Sequence, residues 1–388
     1  MVYRFFYYMA NLAIRVYYRR IYINGLENID KKQAYIMACN HPAGFMEPII
    51  MACTFPRDLY FLVRGDLFEK PVLKNLLYAT HQLPIFRFRD GFSSLRQNQD
   101  TINQSINALG EKKALMIFAE GSTEYGFGIR PLKKGLARIA FQTLDQYPDL
   151  DLKILPIGIS FNNVDKVGGD VILNVGKPFD VREFYTSDPQ LQPTKLIPLI
   201  NKTTELMNDL VIQESANLTK DTIRATWKGL SIENQEGFFP RVEKNSNFFA
   251  QLQSALKKSE SPQQFDHKKY ISGKFFPWYL ALIPVAMPAY LAMSLPRYIA
   301  LKLRNTLVKK IEFKSAITFA SGTFIALFLI IGINIGSILS IGWAATLALD
   351  LSLLFSAYCY LFVWENFKKK ALVKTPEALG QLDGKLPN

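Results

Sequence analysis

Cysteine is scarce in this 388-residue chain, and its three copies follow no regular spacing. Cys39 and Cys53 lie near the start of the sequence, and Cys359 lies in an apolar run near its end. This distribution argues against a disulfide framework and favours a reducing compartment. The sequence also lacks the cysteine and histidine spacing of a zinc finger, and we expect no metal site.

Acidic residues are outnumbered as well, with 33 Asp and Glu against 46 Lys and Arg and a net charge of +13. A basic balance suits an anionic partner such as a lipid headgroup surface, a phosphorylated small molecule or a nucleic acid. No RNA-binding aromatic motif or basic recognition helix is present, so we expect no nucleic-acid partner. Hydrophobic residues make up 49% of the chain, which is high for a wholly soluble protein and predicts contact with membrane lipids.

Charge is almost missing from residues 315–364, where Asp350 is the one charged residue. A single helix of this length would extend about 75 Å, more than twice the ~30 Å hydrocarbon core of a bilayer. We therefore predict a transmembrane helical hairpin that turns near "NIGSILSIG". Inside a membrane, Asp350 would need a polar partner or a water-lined position.

Residues 275–296 also lack charge but contain four prolines, which favours a re-entrant or interfacial segment over a third full span. The residues that follow, 297–314, are expected to form a loop and are rich in Lys and Arg, as is the polar tail at 365–388. Basic residues beside membrane segments favour the cytoplasmic side. We therefore expect an integral membrane protein whose large N-terminal domain lies on the cytoplasmic face.

Residues 1–24 combine arginines with tyrosines and phenylalanines and lack the small-residue cleavage site of a secretory signal. The pattern predicts an amphipathic helix that lies in the headgroup plane of a membrane. An ordinary amphipathic helix packed on a protein core is the alternative.

Short apolar runs bounded by turn residues predict six strands, at 34–39, 59–63, 83–86, 114–118, 152–160 and 171–176. Helix-like stretches separate them, so we predict an α/β fold, with a largely parallel twisted sheet flanked by helices over residues 25–230. A polar helical connector is expected at 231–274. Ligands of such sheets usually lie beyond the carboxyl ends of the strands.

His41 and Glu47 follow the first predicted strand, in the stretch "CNHPAGFMEP". Pro48 suits the first position of a helix, so the two ionisable residues should lie in a loop that Gly44 can fold back. The carboxylate would then orient the imidazole, which is the arrangement of a general base. Alternatively, His41 caps the helix and Glu47 is its N-terminal charge.

Basic residues and a glycine turn follow two further strands. Arg87 and Arg89, in "LPIFRFRDG", can hold a phosphate, or they can belong to a solvated edge strand. The turn of Glu120, Gly121 and Ser122 can present backbone amides to an oxyanion or phosphate, or it can be a connecting loop.

Lys133 and Lys134, in "RPLKKG", add positive charge near that turn at the start of a predicted helix. Pro156 interrupts an apolar strand, which predicts an edge position or a bulge beside a ligand.

Taken in order, "NHPAGFMEP", "IFRFR", "FAEGST" and "LPIGI" resemble the four sequence blocks of the glycerolipid acyltransferase family, which contains the glycerol-3-phosphate and lysophosphatidate acyltransferases. "RPLKKGLARIA" is similar to the lysine-containing segment that commonly follows the third block. The resemblance covers about residues 30–180. This sequence departs from the family pattern at Glu47, where aspartate is usual on a shorter loop, and at Ala119, where proline is usual.

The resemblance implies a membrane-bound O-acyltransferase of phospholipid biosynthesis. Such an enzyme would use acyl-CoA or acylated acyl carrier protein as the co-substrate and a glycerol-phosphate or lysophospholipid acceptor, without a cofactor. His41 would be the base and Glu47 its orienting group, while the acceptor phosphate and the acyl donor would be bound by the remaining candidates. These substrate-binding candidates are Arg87, Arg89, Glu120, Gly121, Ser122, Lys133 and Pro156.

Three alternatives follow from the same residues. The acceptor can be another lyso-lipid, or the chain can be a catalytically inactive lipid-binding membrane protein. An acyl-enzyme route through Cys39 is disfavoured, because a strand thiol in apolar surroundings is a poor nucleophile.

Overall fold

The computed structural model describes residues 2–69, 71–85, 93–233, 241–259 and 281–374. The chain divides into two units. The first comprises Met1–Ser215 and Arg241–Phe249, and the second comprises Ala216–Pro240 and Ala250–Asn388.

A nine-stranded sheet forms the centre of the first unit. Its strands are β1 (Arg20–Asn24), β2 (Ala34–Cys39), β3 (Leu59–Arg64), β4 (Gln82–Ile85), β5 (Ala114–Phe118), β6 (Leu152–Phe161), β7 (Asp170–Val175), β8 (Phe179–Asp180) and β9 (Arg241–Lys244). The strand order is β4-β3-β5-β2-β6-β7-β1-β9, with β8 beside β6. Among the described strands, antiparallel pairing occurs only where β6 meets β7 and β8.

Helices cover this sheet. Those of the first unit are α1 (Val2–Tyr17), α2 (Met46–Thr54), α3 (Pro71–Ala79), α4 (Ser93–Gly110), α5 (Gly135–Gln146) and α6 (Gln192–Asn208). In α5 the apolar residues Leu136, Ile139 and Ala140 recur at helical spacing, and all three are buried in the core with β2 and β5 side chains. Every residue of β2 is buried, as expected for a central parallel strand covered on both faces.

The predicted α/β fold is confirmed. Each of the six predicted strands is present, and its ends lie within one residue of the predicted bounds. The reason is that these strands are continuous apolar runs bounded by turn residues, which is the pattern of a strand buried on both faces.

Two strands lie where the sequence predicted other structure. The helix expected at 1–24 ends at Tyr17, and the buried strand β1 follows it. The polar segment expected as a helical connector contributes β9, which pairs in parallel with β1. Arg20 of β1 donates to Glu243 of β9 at 3.0 Å, so a polar strand can be built into the sheet. This pairing joins residues that are distant in sequence, which local periodicity does not reveal.

The second unit is helical in the residues described. Its helices are α7 (Lys220–Glu233), α8 (Phe248–Ser259, whose first two residues belong to the first unit), α9 (Ile283–Leu307), α10 (Ile311–Ile341) and α11 (Trp343–Lys374). Two segments are long and apolar enough to cross a membrane, Phe313–Ile341 and Trp343–Tyr360. They meet at Gly342, which has φ 81° and is the last residue of the predicted turn.

Proline is tolerated within α9. Residues 283–296 of the predicted re-entrant segment form its first half, while 275–280 lie outside the described residues. The helix continues to Leu307, through part of the segment that was expected to be a loop. Beside Pro288, the amide of Ala289 donates to the Ser356 hydroxyl of α11 at 3.0 Å. A neighbouring helix thus satisfies a backbone group next to the proline.

Asp350 has a polar neighbour, which the sequence alone could not identify. The side-chain amide of Asn334 in α10 donates to its Oδ1 at 3.4 Å. The two helices of the hairpin therefore bring together two of its few polar side chains.

We predict that Gly158→Ala destabilises the fold by about 1–3 kcal/mol, because overpacking a tight core costs that much. An added Cβ at Gly158 in β6 would lie 2.5 Å from the backbone carbonyl oxygen of Leu210. Gly135→Ala is the matched control, since nothing lies within 4 Å of its added Cβ. Thermal unfolding of both full-length variants in detergent measures the difference, and equal Tm values would contradict it.

Candidate active site

Asn40 fixes the chain directly after β2. Its side-chain amide donates to the carbonyl of Ile159 and accepts from the amide of the same residue, each at 2.8 Å. The side chain of Asn40 is buried. Because β6 runs on past the end of β2, this pair of bonds ties the departing loop to β6 and holds the next residue, His41, at the edge of the sheet.

His41 and Glu47 lie side by side. The Nδ1 atom of His41 is 3.4 Å from Oε1 of Glu47, and the Glu47 side chain is fully buried. The helix α2 begins at Met46, two residues earlier than predicted, so Glu47 lies in its first turn instead of in the loop. Gly44 has φ 63° and turns the chain back, and the amide of Ala43 donates to Oε1 of Glu47. Glu47 thus satisfies an amide before the helix and also contacts the imidazole.

The His41 ring is fixed on its face by Phe118, the last residue of β5. The two rings stack with centroids 4.1 Å apart. Nδ1 is buried and forms no hydrogen bond with the described residues, while 18% of the side chain is exposed. Nε2 is therefore the nitrogen that is open to a ligand.

Glu120 joins two loops of the site. Its buried carboxylate accepts from the backbone amide of His41 at 3.1 Å and from that of Arg130 at 2.9 Å. The Arg130 guanidinium also donates to it. Because protein donors surround this carboxylate, Glu120 shapes the site by holding the loop after β2 to the loop after β5.

The glycine turn is closed by a hydrogen bond of its own. Gly121 has φ 72°, and its amide donates to the carbonyl of Phe118 at 3.1 Å. That amide therefore closes the turn and is not available to an oxyanion. The Lys133 side chain packs against Gly121, since an added Cβ there would lie 3.1 Å from Cγ of Lys133. The exposed Lys133 thus adds positive charge at the turn.

Arg130 is a residue that sequence reasoning missed. Its guanidinium donates to the Ser122 hydroxyl at 2.8 Å and lies 3.6 Å from the Glu124 carboxylate, in addition to its contact with Glu120. Its place in "RPLKKG", three positions before Lys133, was the available signal, but that signal does not reveal its carboxylate partner. Its side chain is 27% exposed, so it is held by the loop and still reaches the surface of the site.

The sequence predicted an edge position or a bulge at Pro156, and the edge position is wrong, because β6 is central in the sheet. The residue falls in a gap between two partners of β6. β8 pairs with Lys153 and Ile154, and β7 pairs from Ile157 onward. Its missing N–H therefore falls where no strand requires a donor on that side. Pro156 lies beside Ala38 of β2, one position before the end of that strand.

Arg87 and Arg89 lie outside the described residues. Burial raises the pKa of the Cys39 thiol well above its ordinary value, which makes it a poor nucleophile. Within the described ranges, no group of three or more His, Cys, Asp and Glu residues could hold a metal ion.

Comparison with known proteins relates this domain to acyltransferases. Residues 20–160, which contain His41, Glu47, Glu120 and Arg130, match the family model described as Acyltransferase. The chain is 27% identical over 157 residues to a 1-acyl-sn-glycerol-3-phosphate acyltransferase of Borreliella burgdorferi, covering 40% of this chain and 57% of that protein.

Two further similarities are more limited. The chain is 29% identical over 73 residues to glycerol-3-phosphate O-acyltransferase 1 of Saccharomyces cerevisiae, covering 19% of this chain and 10% of that protein. It is also similar, with a TM-score of 0.38 and 18% identity, to the crystal structure of the 1-acyl-sn-glycerophosphate acyltransferase PlsC from Thermotoga maritima, covering 51% of this chain and 78% of that one. The chain thus spans little more than half of the first curated relative and a small part of the second.

We predict that Glu120 and Arg130 are energetically coupled. A double-mutant cycle with Glu120→Gln and Arg130→Gln should give a coupling free energy of about 1–3 kcal/mol in urea unfolding, because the carboxylate is buried and loses its charged partner. The exposed pair Arg64 and Asp66 is the control and should give less than about 1 kcal/mol. A coupling near zero for Glu120 and Arg130 would show that the contact does not hold the two loops.

Proposed function

We propose that residues 20–160, which match the family model described as Acyltransferase, form a glycerolipid-type acyltransferase domain that transfers a fatty acyl group from an acyl thioester to the hydroxyl of a glycerol-phosphate-type acceptor. The thioester is acyl-CoA or acylated acyl carrier protein. It is a co-substrate, and no cofactor takes part. The observation that carries this proposal is the contact of His41 Nδ1 with the buried carboxylate of Glu47 at 3.4 Å.

In the first step, His41 acts as the general base. Glu47 favours the ring form that carries its proton on Nδ1, so that Nε2 is free to accept one. The acceptor hydroxyl gives its proton to Nε2 while its oxygen attacks the thioester carbonyl carbon. The nearby Glu47 charge stabilises the imidazolium that forms, as in a hydrolase triad, but without a serine nucleophile.

In the second step, the tetrahedral intermediate collapses. The bond from carbon to sulfur breaks, the thiolate leaves, and it takes the proton from the His41 imidazolium. The new ester and the free thiol are the products, and His41 returns to its neutral form. The raised pKa of Cys39 supports this direct route over an acyl-enzyme.

The basic residues around His41 and Glu47 suit a phosphorylated acceptor. Lys133 is exposed beside the glycine turn, and Arg130 reaches the surface of the site through the loop that Glu120 holds. We propose that these two residues, with Arg87 and Arg89, bind the acceptor phosphate. Glu120, Gly121 and Ser122 would act by shaping the loop, and Pro156 by placing β6 near the acyl donor.

His41→Ala should lower kcat by at least about 10²-fold with an unchanged Tm, because a general base contributes about that much. Glu47→Gln should lower kcat by a smaller factor. Transfer from a radiolabelled acyl thioester to a panel of glycerol-phosphate and lysophospholipid acceptors measures both.

His81→Asn is the matched control, since His81 has φ 59° and asparagine tolerates that backbone conformation. It should retain normal turnover. Near-normal activity of His41→Ala would exclude the mechanism, and absence of transfer by the unmodified chain to any acceptor would favour an inactive lipid-binding protein.

We further propose that the chain is an integral membrane protein with this domain on the cytoplasmic face. The two apolar segments of α10 and α11 support it, since their large side chains are exposed, with Leu339 at 81% and Phe328 at 70%. In α1, Phe5, Tyr8, Leu12 and Val16 form an exposed stripe at helical spacing, at 55% to 69% exposure.

The opposite side of α1 packs on protein. Ile14 and Tyr17 are buried, and the Asn11 side chain donates to the carbonyl of Cys53 in α2 at 3.0 Å. The helix thus combines features of both sequence interpretations, with one face on the core and one apolar face that suits lipid.

The full-length protein should remain in the membrane pellet after an alkaline carbonate wash, because apolar helices hold it in the hydrocarbon core. Immunoblotting of pellet and supernatant measures this. A chain that appears in the supernatant would contradict the membrane-spanning proposal and leave an interfacial attachment through α1.

A further inference from the structure

A cavity of about 290 Å³ lies between α9 and α11 in the second unit. Residues of α9 at helical spacing form one wall, and a tyrosine of α11 forms the other. The residues that define its character are Tyr290, Met293, Arg297, Tyr298, Leu301 and Tyr360. The rings of Tyr290 and Tyr360 meet across the cavity with centroids 5.8 Å apart. The cavity therefore has an apolar and aromatic lining with one cationic group.

Arg297 is the charged member of this lining. Its side chain is exposed, and it forms no ion pair with the residues that the structure describes. The nearby hydroxyl of Ser294 already donates to the carbonyl of Leu291 at 2.6 Å. A guanidinium suits a phosphate oxygen, and no acidic residue lines the cavity.

The cavity lies at one end of the apolar part of the hairpin. Tyr360 is the last residue of the candidate span Trp343–Tyr360. Basic residues follow Arg297 along the chain, namely Lys302, Arg304, Lys309 and Lys310. Tyrosines and basic residues at the end of an apolar helix are typical of the level of the lipid headgroups. Tyr290 and Met293 precede Arg297 by one to two helical turns, on the side away from these basic residues.

We propose that this cavity binds one anionic phospholipid, whose phosphate pairs with Arg297 and whose acyl chain runs along Met293 and Tyr290. The inference rests on the proposed insertion of α10 and α11 in a membrane. A free phosphate would not use the apolar wall, and a zwitterionic lipid would bring a second cation toward Arg297. Basic pockets between helices on the cytoplasmic side bind acidic headgroups in this way.

The test uses the full chain reconstituted in phosphatidylcholine vesicles that contain a lipid with a photoactivatable acyl chain. Phosphatidylglycerol is the anionic probe, since its phosphate diester is neither acceptor nor product of the proposed reaction, and phosphatidylcholine is the neutral probe. Mass spectrometry locates the labelled peptides. We expect phosphatidylglycerol to label α9 and α11 about tenfold more than phosphatidylcholine does, as one charge-assisted contact would give.

Arg297→Gln should remove this preference, while Lys302→Gln, which removes the same charge from α9 outside the cavity, should retain it. Equal labelling by the two lipids, equal loss in both variants, or displacement of the label by inorganic phosphate would overturn the inference. If the protein floats with the vesicles and transfers acyl groups but shows no preference, only this inference fails. A protein that does not float with the vesicles contradicts both this inference and membrane insertion.

Discussion

Glu47 and Glu120 are two carboxylates buried beside the ends of neighbouring strands, and the loops of the candidate site are arranged around them. A buried carboxylate is costly unless donors surround it. Glu120 meets this requirement with the His41 amide and with the backbone and side chain of Arg130. Glu47 accepts a hydrogen bond from the Ala43 amide and lies against the His41 imidazole. The need to satisfy these two groups brings together loops that the sheet alone would leave apart.

The sheet determines which loops can meet. β2 lies between β5 and β6 and runs parallel to both, so the three strands end at the same side. Phe118 of β5 supports the face of the His41 ring, and Ile159 of β6 holds Asn40 beside it. Contacts from both neighbouring strands thus restrict the motion of the imidazole, as the proposed role of a general base requires.

Much of this arrangement could be predicted from the sequence, because the central strands are continuous apolar runs and the ends of parallel strands share one edge. The presence of Gly44 predicted that the chain folds Glu47 back toward His41. The start of α2 at Met46, two residues before the predicted position, was not expected. Arg130 could not be identified, because its importance depends on a carboxylate that only the folded loop brings to it. The strands β1 and β9 were missed for a similar reason, since Arg20 is made compatible with a sheet by Glu243, far away in sequence. Pro156 does mark an irregularity in the pairing of β6, the gap between its partners β8 and β7. The position of β6 within the sheet, however, cannot be predicted from the local sequence pattern.

The helical second unit follows a different rule, in which polar groups on apolar helices find partners on neighbouring helices. The Ser356 hydroxyl accepts a hydrogen bond from the amide beside Pro288, and the Asn334 side chain donates one to Asp350. Arg297 differs from these groups, since its partner is expected to be a lipid. We therefore propose two kinds of anion-binding group, one set beside His41 in the first unit and one at the level of the lipid headgroups in the second.

The central claim is that Glu47 holds His41 with its proton on Nδ1 and leaves Nε2 to take the proton of an alcohol. Nitrogen-15 NMR of the full chain labelled at its three histidines measures this directly, with the His41 signals assigned by their loss in His41→Gln. At a pH where the ring is neutral, the account predicts a protonated Nδ1 and an unprotonated Nε2. A neutral His41 ring that carries its proton on Nε2 would contradict it.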